Sequence, residues 1–359
     1  MKKLLIFAYT LDMGGAEKAL VDTINFLHDK CEIDLYLLEK KGALLERVPK
    51  DVNVFAMKKN PIQYSLFRFW APYRKKVINK IANAKDYDIV IGYLEGRCGT
   101  WVADISKKIK KIVWVHNDVF KFNIGISDKE AKDTYGKLET IICVSDDNKV
   151  NLCKKYDIDP DKVKVIYNYI NEDDILKKAN EIKLEKSKMT FVNVAAMREQ
   201  KRHDRLIKAA KYLKDKGYDF EIQFIGTGPK LEEVKNMVNE YGVSDVINIM
   251  GLKPNPYPYV KNADFFVLSS YMEGYCIAVK EALFLKKVVI TTDVAGMREM
   301  FEGDKYGVII PNNDDAMKYA LEEVLKKPHK YDNIKKNLET YGGSNEKIKL
   351  QILELLDLN

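Results

Sequence analysis

The segment EGYCIAVKEAL, Glu273 to Leu283, sets two carboxylates, Glu273 and Glu281, at the edges of a run of mostly small or apolar residues, seven positions lying between them. The strand-like run DFFVLSS precedes it and ends at Ser269 or Ser270, Gly274 allows a tight turn, and a helix is expected to begin around Tyr275–Ile277. Glu273 then belongs to the loop beyond the strand, and Glu281 lies a turn or more inside the helix. The unpaired N–H groups of Tyr275, Cys276, Ile277 and Ala278 face whatever sits past the strand end. Amides in that position suit phosphate and sugar oxygens, and a carboxylate accepts the paired hydrogen bonds that a vicinal diol offers. The expected chemistry is recognition of a sugar nucleotide, with both glutamates free to read hydroxyls and neither required as a general base.

Other segments repeat the pattern of a strand running into a helix. In TLDMGGAEKAL the pair Gly14–Gly15 falls where a strand hands over to a helix, so backbone N–H groups can approach an anion. QFIGTGPKLEEV places Gly226 and Gly228 in the same way. Neither stretch has the G-x-G-x-x-G spacing of a dinucleotide site. In VNVAAMREQKRHDRLIKAA, Lys201 and Arg202 fall near a helix start, where cationic side chains and amides can share a diphosphate. KKIVWVHNDVF carries His116 to the carboxyl end of a strand, where it can hydrogen-bond a ligand, sit near a reacting sugar, or serve the core alone. Glu95 and Arg97 in GYLEGRCG end another strand and are expected to face the same region.

These residues need strands to carry them. Short β-branched runs alternate with amphipathic stretches throughout. The first series is Leu4–Ala8, Ile33–Leu38, Val52–Met57, Asp88–Gly92, Ile112–Val115, Thr140–Val144 and Val163–Tyr167. A charged stretch expected to be helical, NEDDILKKANEIKLEKSKM, follows Ile170. The second series is Thr190–Ala195, Phe220–Ile225, Val246–Met250, Phe265–Leu268, Val288–Thr291 and Gly307–Ile310. Apolar runs separated by helix-length polar segments predict βαβ units and two parallel α/β sheets, each buried on both faces, with ligands beyond the carboxyl ends of the strands. The natural site in such a pair is the cleft between the two domains.

A chain of 359 residues exceeds what one core supports. Its apolar runs fall short of the ~20 residues that span a bilayer, and Leu4–Ala8 is too short for a signal sequence. Five scattered cysteines without a C-x-x-C pair fit a reducing cytoplasm, with neither a disulfide framework nor a zinc site. All the excess positive charge lies in residues 1–170, with 30 basic against 23 acidic residues, while the remainder balances at 30 and 30. That half either carries an ordinary solvated basic surface or faces something anionic. The stretch from Pro61 to Ile81 sets Phe67, Phe69, Trp70 and Tyr73 among Arg68, Arg74, Lys75, Lys76 and Lys80, as a membrane-interface segment would. Packing of the aromatics on the core is the alternative, and Pro72 argues against one continuous helix.

Taken in order, DMGGAEKAL, VWVHND, REQKRHDRLI, FIGTGP, GLKPNPYPYV and EGYCIAVKEAL resemble the retaining GT-B glycosyltransferases of glycosyltransferase family 4, of the bacterial surface-polysaccharide type, over essentially the whole chain. The last segment matches that family's E-x(7)-E motif. The resemblance implies the GT-B architecture: two Rossmann-like domains with parallel sheets facing across a cleft. Residues 1–170 would bind the acceptor, 171–342 the nucleotide sugar, and 343–359 would form a C-terminal helix packing back on the first domain. Glu281 would bind the ribose hydroxyls and Glu273 the donor sugar, assisted by the amides after Gly274. Lys201 would neutralise the diphosphate with help from Gly14–Gly15, Leu252 would meet the base, and His116 would lie by the reacting sugar near the acceptor.

The resemblance further implies sugar transfer with retention, without a metal, from a donor expected to be a UDP-sugar. The acceptor would be a saccharide, expected to be lipid-linked, at the cytoplasmic face of the membrane, with peripheral membrane contact through the first domain and no nucleic-acid partner. Two departures stand out. The family's arginine five residues before the lysine is Ala196 here, leaving Arg198 or Arg202 to substitute, and Cys276 stands where glycine or proline is common. An uncompensated loss of that cation costs about 1.5–3 kcal/mol of binding. A glycosyltransferase-like subunit that only stabilises an active partner is therefore the alternative, and a nucleotide-sugar epimerase a more distant one.

Overall fold

Thirteen parallel strands build two separate sheets in the computed structural model, which describes residues 1–57, 67, 70–342 and 345–358. The chain divides into two units, Met1–Ile170 with Asn345–Asn359, and Asn171–Ser344.

In the first unit the strands are β1 (Lys2–Ala8), β2 (Cys31–Leu37), β3 (Asn53–Ala56), β4 (Ile89–Gly92), β5 (Lys110–Val115), β6 (Thr140–Cys143) and β7 (Val163–Val165). They lie in the order β3-β2-β1-β4-β5-β6-β7. The central strands are apolar because helices cover both faces: Leu4, Leu5 and Phe7 of β1 are fully buried. The helices are α1 (Gly15–Leu27), α2 (Ala71–Ala82), α3 (Arg97–Ala103), α4 (Asp128–Gly136) and α5 (Asp146–Tyr156). Ser127 and Ser145 cap α4 and α5, each accepting the amide three residues on at 3.2 Å, and acidic residues fill both first turns.

Of the basic-aromatic stretch, residues 61–66, 68 and 69 lie outside the described residues. Pro72 stands in the first turn of α2, where its missing N–H costs nothing. The described part of the segment is packed on the core in places and exposed in others. Phe67 and Arg74 are buried, Phe67 against Trp101 with ring centroids 5.5 Å apart, whereas Trp70 is 54% exposed and stacks on Tyr73 with ring centroids 6.3 Å apart.

The second unit has β8 (Met189–Val194), β9 (Phe220–Ile225), β10 (Ile247–Gly251), β11 (Phe265–Leu268), β12 (Val288–Thr292) and β13 (Gly307–Ile310), in the order β10-β9-β8-β11-β12-β13. Its helices are α6 (Glu172–Ala179), α7 (His203–Asp215), α8 (Leu231–Glu240), α9 (Tyr257–Asn262), α10 (Ile277–Phe284), α11 (Met297–Met300), α12 (Asp314–Lys326) and α13 (Asp332–Glu339). The charged stretch after Ile170 is helical only over α6, capped by Asn171; residues 180–188 are not helical, because Ile182, Leu184 and the lysines around them form no apolar face to bury.

The last helix, α14 (Asn345–Leu355), belongs to the first unit. Asn345 Nδ2 donates to the Ile170 carbonyl at 2.7 Å, and Lys2 and Lys110 both pair with Asp357 at 3.1 Å. No helix among the described residues is long and apolar enough to cross a membrane.

Candidate functional site

Strand order reverses direction in the second sheet between β8 and β11, and the loops that leave two such strands diverge to opposite faces, opening a crevice at their carboxyl ends. The loop after β8 carries Lys201 on a 3-10 turn, Glu199–Lys201, and the loop after β11 carries Glu273. Lys201 Nζ donates to Glu273 Oε1 at 2.6 Å, and Ser270 Oγ donates to the same oxygen at 2.6 Å. Both partners are largely enclosed, with side chains 15% and 8% exposed. Burial pulls the Lys201 ammonium down, but the Glu273 carboxylate outweighs it and holds the group above its ordinary value, with the Arg198 charge opposing. Arg198 is thus close enough to be felt at Lys201, and its own side chain is exposed.

Glu281 lies in the second turn of α10, buried, and Tyr257 at the start of α9 donates its hydroxyl to Glu281 Oε1 at 3.1 Å. The two glutamates therefore take different partners, a cation for Glu273 and a phenol for Glu281. Tyr275, Cys276 and Ile277 are buried, with Cys276 at the N-cap of α10 and Ala278 half-buried in its first turn. Burial, reinforced by the Glu273 charge, pushes the Cys276 thiol up to about 12. Leu252, following Gly251 at φ +68°, is 49% exposed beyond β10.

Gly226 and Gly228 have a packing reason. Gly226 has φ +148°, and a Cβ there would overlap the Ala195 carbonyl oxygen; one at Gly228 would lie 2.5 Å from the Met197 carbonyl oxygen. The Gly226 N–H already donates to Gly251 O at 2.9 Å, and Met197 N donates to Thr227 O at 2.9 Å. The pair lets the β9 loop run against the backbone that leads to Lys201. Arg202 is also engaged: its Nε and Nη2 fork onto Asp204 at 2.8 Å each, and Nη2 reaches Asp314 at 3.2 Å.

In the first unit the order reverses between β1 and β4. Gly14 is the N-cap of α1 and Gly15 its first residue, with the Glu17 side chain folded back over Gly14. Glu95 is buried in the loop after β4; its Oε2 accepts the His116 backbone N–H at 2.8 Å and its Oε1 the Asn117 amide at 2.5 Å. Arg97, half-buried, begins α3. His116 follows β5 directly, packs its ring on Tyr93 with centroids 5.0 Å apart, and is buried. Among the described residues neither ring nitrogen has a hydrogen-bond partner in good geometry, and the Tyr93 backbone is a polar group that acts on the ring. Burial pushes the imidazole down to about 3, so it is neutral at physiological pH.

Sequence reasoning did not single out Tyr257, Asn312 or Asp314, each far along the chain from the residue it supports, nor Arg205, whose own partners Ser269, Asn312 and Asp314 are distant in sequence. Ser269 and Ser270 were visible only as a strand end. Among the described residues no group of three or more His, Cys, Asp or Glu side chains is placed to hold a metal ion.

Two family models match the chain: Glycosyltransferase Family 4 over residues 13–174 and Glycosyl transferases group 1 over residues 174–340. One similar protein is the N-acetylgalactosamine-N,N'-diacetylbacillosaminyl-diphospho-undecaprenol 4-alpha-N-acetylgalactosaminyltransferase of Campylobacter jejuni, 26% identical over 365 residues, covering 98% of this chain and 97% of its own. Another is the putative colanic acid biosynthesis glycosyltransferase WcaL of Escherichia coli, 30% identical over 141 residues, 37% of this chain and 35% of its own. Among solved structures, Anabaena HepE in complex with UDP and glucose superposes with a TM-score of 0.80 at 18% identity, covering 99% of this chain and 100% of that one. Adjoining glycosyltransferase models from residue 13 to residue 340, and a two-sheet fold shared over the full length, lead to one assignment: the chain belongs to the GT-B glycosyltransferases of the family 4 type.

Proposed function

We propose that the protein transfers a sugar, with retention of anomeric configuration, from a nucleotide sugar held by the second unit to a hydroxyl of a saccharide acceptor held by the first. The observation that carries the reading is the enclosed Lys201–Glu273 pair at the switch point of the second sheet, with Glu281 buried in the adjoining helix. A transferase of this class must stabilise negative charge growing on a leaving diphosphate while reading neutral hydroxyls. Lys201 supplies the cation, and the first-turn amides of α10, after Gly274, supply neutral donors. Glu273 accepts hydroxyls of the donor sugar, and Glu281, steadied by Tyr257, accepts those of the ribose. With cations and amides in these roles the chemistry needs no divalent metal.

Ala196 supplies no second cation, and Arg202 is committed to Asp204 and Asp314. Arg198, exposed and close to Lys201, takes that part. Leu252 with Gly251 offers backbone to the base. On the acceptor side, Arg97 and neutral His116 are the candidate contacts; Glu95 serves chiefly by holding the turn that bears His116 and Asn117. The donor we assign is a UDP-sugar carrying a hexosyl or N-acetylhexosaminyl group, as HepE is seen with UDP and glucose and the Campylobacter relative is named for N-acetylgalactosamine transfer. The relative's undecaprenol-linked acceptor and the surplus of basic residues in the first unit support a lipid-linked acceptor at the cytoplasmic membrane face, in surface polysaccharide synthesis.

Calorimetric titration with UDP and with GDP, for the wild type and Glu281→Gln, tests the reading. UDP is expected to bind in preference to GDP, and Glu281→Gln to weaken it about tenfold or more, as for loss of a charged hydrogen-bond acceptor. Binding that is equal in wild type and variant removes Glu281 from the donor site. Absence of binding by either nucleotide overturns the reading and favours a partner-stabilising subunit.

A further inference from the structure

Lys201 is gripped from both sides by groups that never touch Glu273. The residue after it, Arg202, has φ +49° and ψ +50°, a left-handed backbone that side-chain-bearing residues seldom adopt. Something must hold it there. Its guanidinium is forked onto Asp204 and reaches Asp314, in the first turn of α12. Asp314 also accepts Arg205 Nε at 3.1 Å and Lys208 Nζ at 2.7 Å. Arg205, its side chain 5% exposed, continues the chain of contacts through Nη1 to the Ser269 carbonyl at 3.1 Å and to Asn312 Oδ1 at 2.6 Å. Asn312 Nδ2 donates onward to the Tyr271 carbonyl at 3.1 Å.

The opposite side is stitched directly. Ser269 Oγ donates to the Lys201 carbonyl at 2.8 Å, and Tyr271 N donates to the Gln200 carbonyl at 3.0 Å. The loop bearing Lys201 and the loop bearing Glu273 are thus tied to each other, and both are tied to one carboxylate on a third element. The arrangement also sorts the cations: Arg202, Arg205 and Lys208 are neutralised on Asp204 and Asp314, while Lys201 is turned toward Glu273.

We propose that Asp314 is a positioning residue for the Lys201–Glu273 pair, acting through Arg202 and Arg205 to fix the turn from which Lys201 projects. This rests on the proposal that Lys201 meets the donor diphosphate, and the test separates the two. Lys201 is to be acetylated with a limiting amount of acetic anhydride in the absence of nucleotide, its rate read by peptide mass spectrometry, in the wild type, Asp314→Asn and Glu322→Gln. Glu322 lies in the same helix and accepts Lys216 and Lys326, both at 2.8 Å, so its loss controls for general weakening of α12.

The expected result is acetylation of Lys201 about tenfold faster in Asp314→Asn, in line with the coupling seen within shared ion-pair networks. Glu322→Gln should leave that rate unchanged, and Asp314→Glu should restore it. If Asp314→Asn does not fold, Arg202→Gly keeps the left-handed turn, removes one of the two links, and is expected to raise the rate severalfold. A wild-type rate in whichever of these variants folds overturns the proposal, as does an equal rise in Glu322→Gln. Titration with UDP then reports on the other reading. Faster acetylation in a protein that binds neither UDP nor GDP upholds the positioning role while removing the donor-site assignment.

Discussion

The two buried histidines make the stability of this protein fall on acidification before its carboxylates come into play. His116 of the first unit is pushed down to about 3 by burial, and His203 of the second, buried against the edge of Phe224, to about 4 by burial and then by the Lys201 charge. In the unfolded chain each titrates near the ordinary value of about 6.5. Below that value the unfolded chain takes up protons that the folded chain refuses, so stability present above pH ~6.5 is lost as the pH falls toward the folded values. Each histidine contributes a slope of about 1.4 kcal/mol per pH unit, so at pH 5 each unit has lost about 2 kcal/mol, a large share of the ~5–15 kcal/mol typical of a domain. Carboxylates held low by partners, such as Asp34 and Asp314, have unfolded values near 4 and act mainly below that window. The assay is urea unfolding at pH 7.5, 6.5, 5.5 and 5.0, comparing the wild type with His116→Gln and His203→Phe. The absolute stability of either variant is immaterial; what counts is that the slope between pH 6 and 5 falls by about 1.4 kcal/mol per pH unit in the affected unit. An unchanged slope in both variants would refute the account, since neither imidazole would then be neutral in the folded state at pH 5.

Three further outcomes follow from local geometry. Gly226→Ala should destabilise the second unit by about 2–4 kcal/mol in urea unfolding, because it combines a backbone that favours glycine with overlap onto the Ala195 carbonyl; a loss under ~1 kcal/mol would mean the β9 loop can move aside. Lys201→Met leaves Glu273 enclosed beside Ser270 without its cation and should cost about 3 kcal/mol, whereas the double variant Lys201→Met, Glu273→Gln should recover much of that loss; simple additivity in the double-mutant cycle would remove the pair as a coupled unit. In maleimide labelling at pH 7, Cys153, the one cysteine that is not buried, should react first, with Cys276 among the slow thiols because burial holds it protonated; early modification of Cys276 would contradict the enclosed site.

How much of this was legible depended on whether the signal was local. The strand runs were plain because a parallel sheet covered on both faces demands continuous apolar sequence, and β1, β11 and β12 have it. The motif around Glu273 was legible because strand end, glycine and helix start follow one another without a gap. The overreach after Ile170 came from helix-forming composition alone: residues 180–188 have the lysines and glutamates of a helix but no tertiary surface to pack against. The supports of the site were hidden for the opposite reason. Tyr257 reaches Glu281 across 24 residues and Arg205 reaches Asp314 across 109, and a tyrosine or an aspartate carries no sequence mark of a partner so distant. Arg202 has a structural part that its sequence neighbourhood did not show: its left-handed backbone and its fork onto Asp204 make it part of the turn that bears Lys201.

The return of the chain to its first unit, by way of α14, bears on the order of events during synthesis. Residues 171–344 are all encoded before Asn345 exists to bond the Ile170 carbonyl, and before Gln351 arrives beside Val165 of the edge strand β7 or Asp357 meets Lys2 and Lys110. The earlier-encoded unit therefore cannot complete itself while the chain is being made: its sheet edge stays open until α14 arrives, after the whole of the second unit has been encoded. Termination shortly after residue 344 would release a chain whose second sheet is intact and whose first lacks its closing element. Such a species exposes β7 to chance pairing, so loss of α14 would be felt as aggregation of the amino-terminal half.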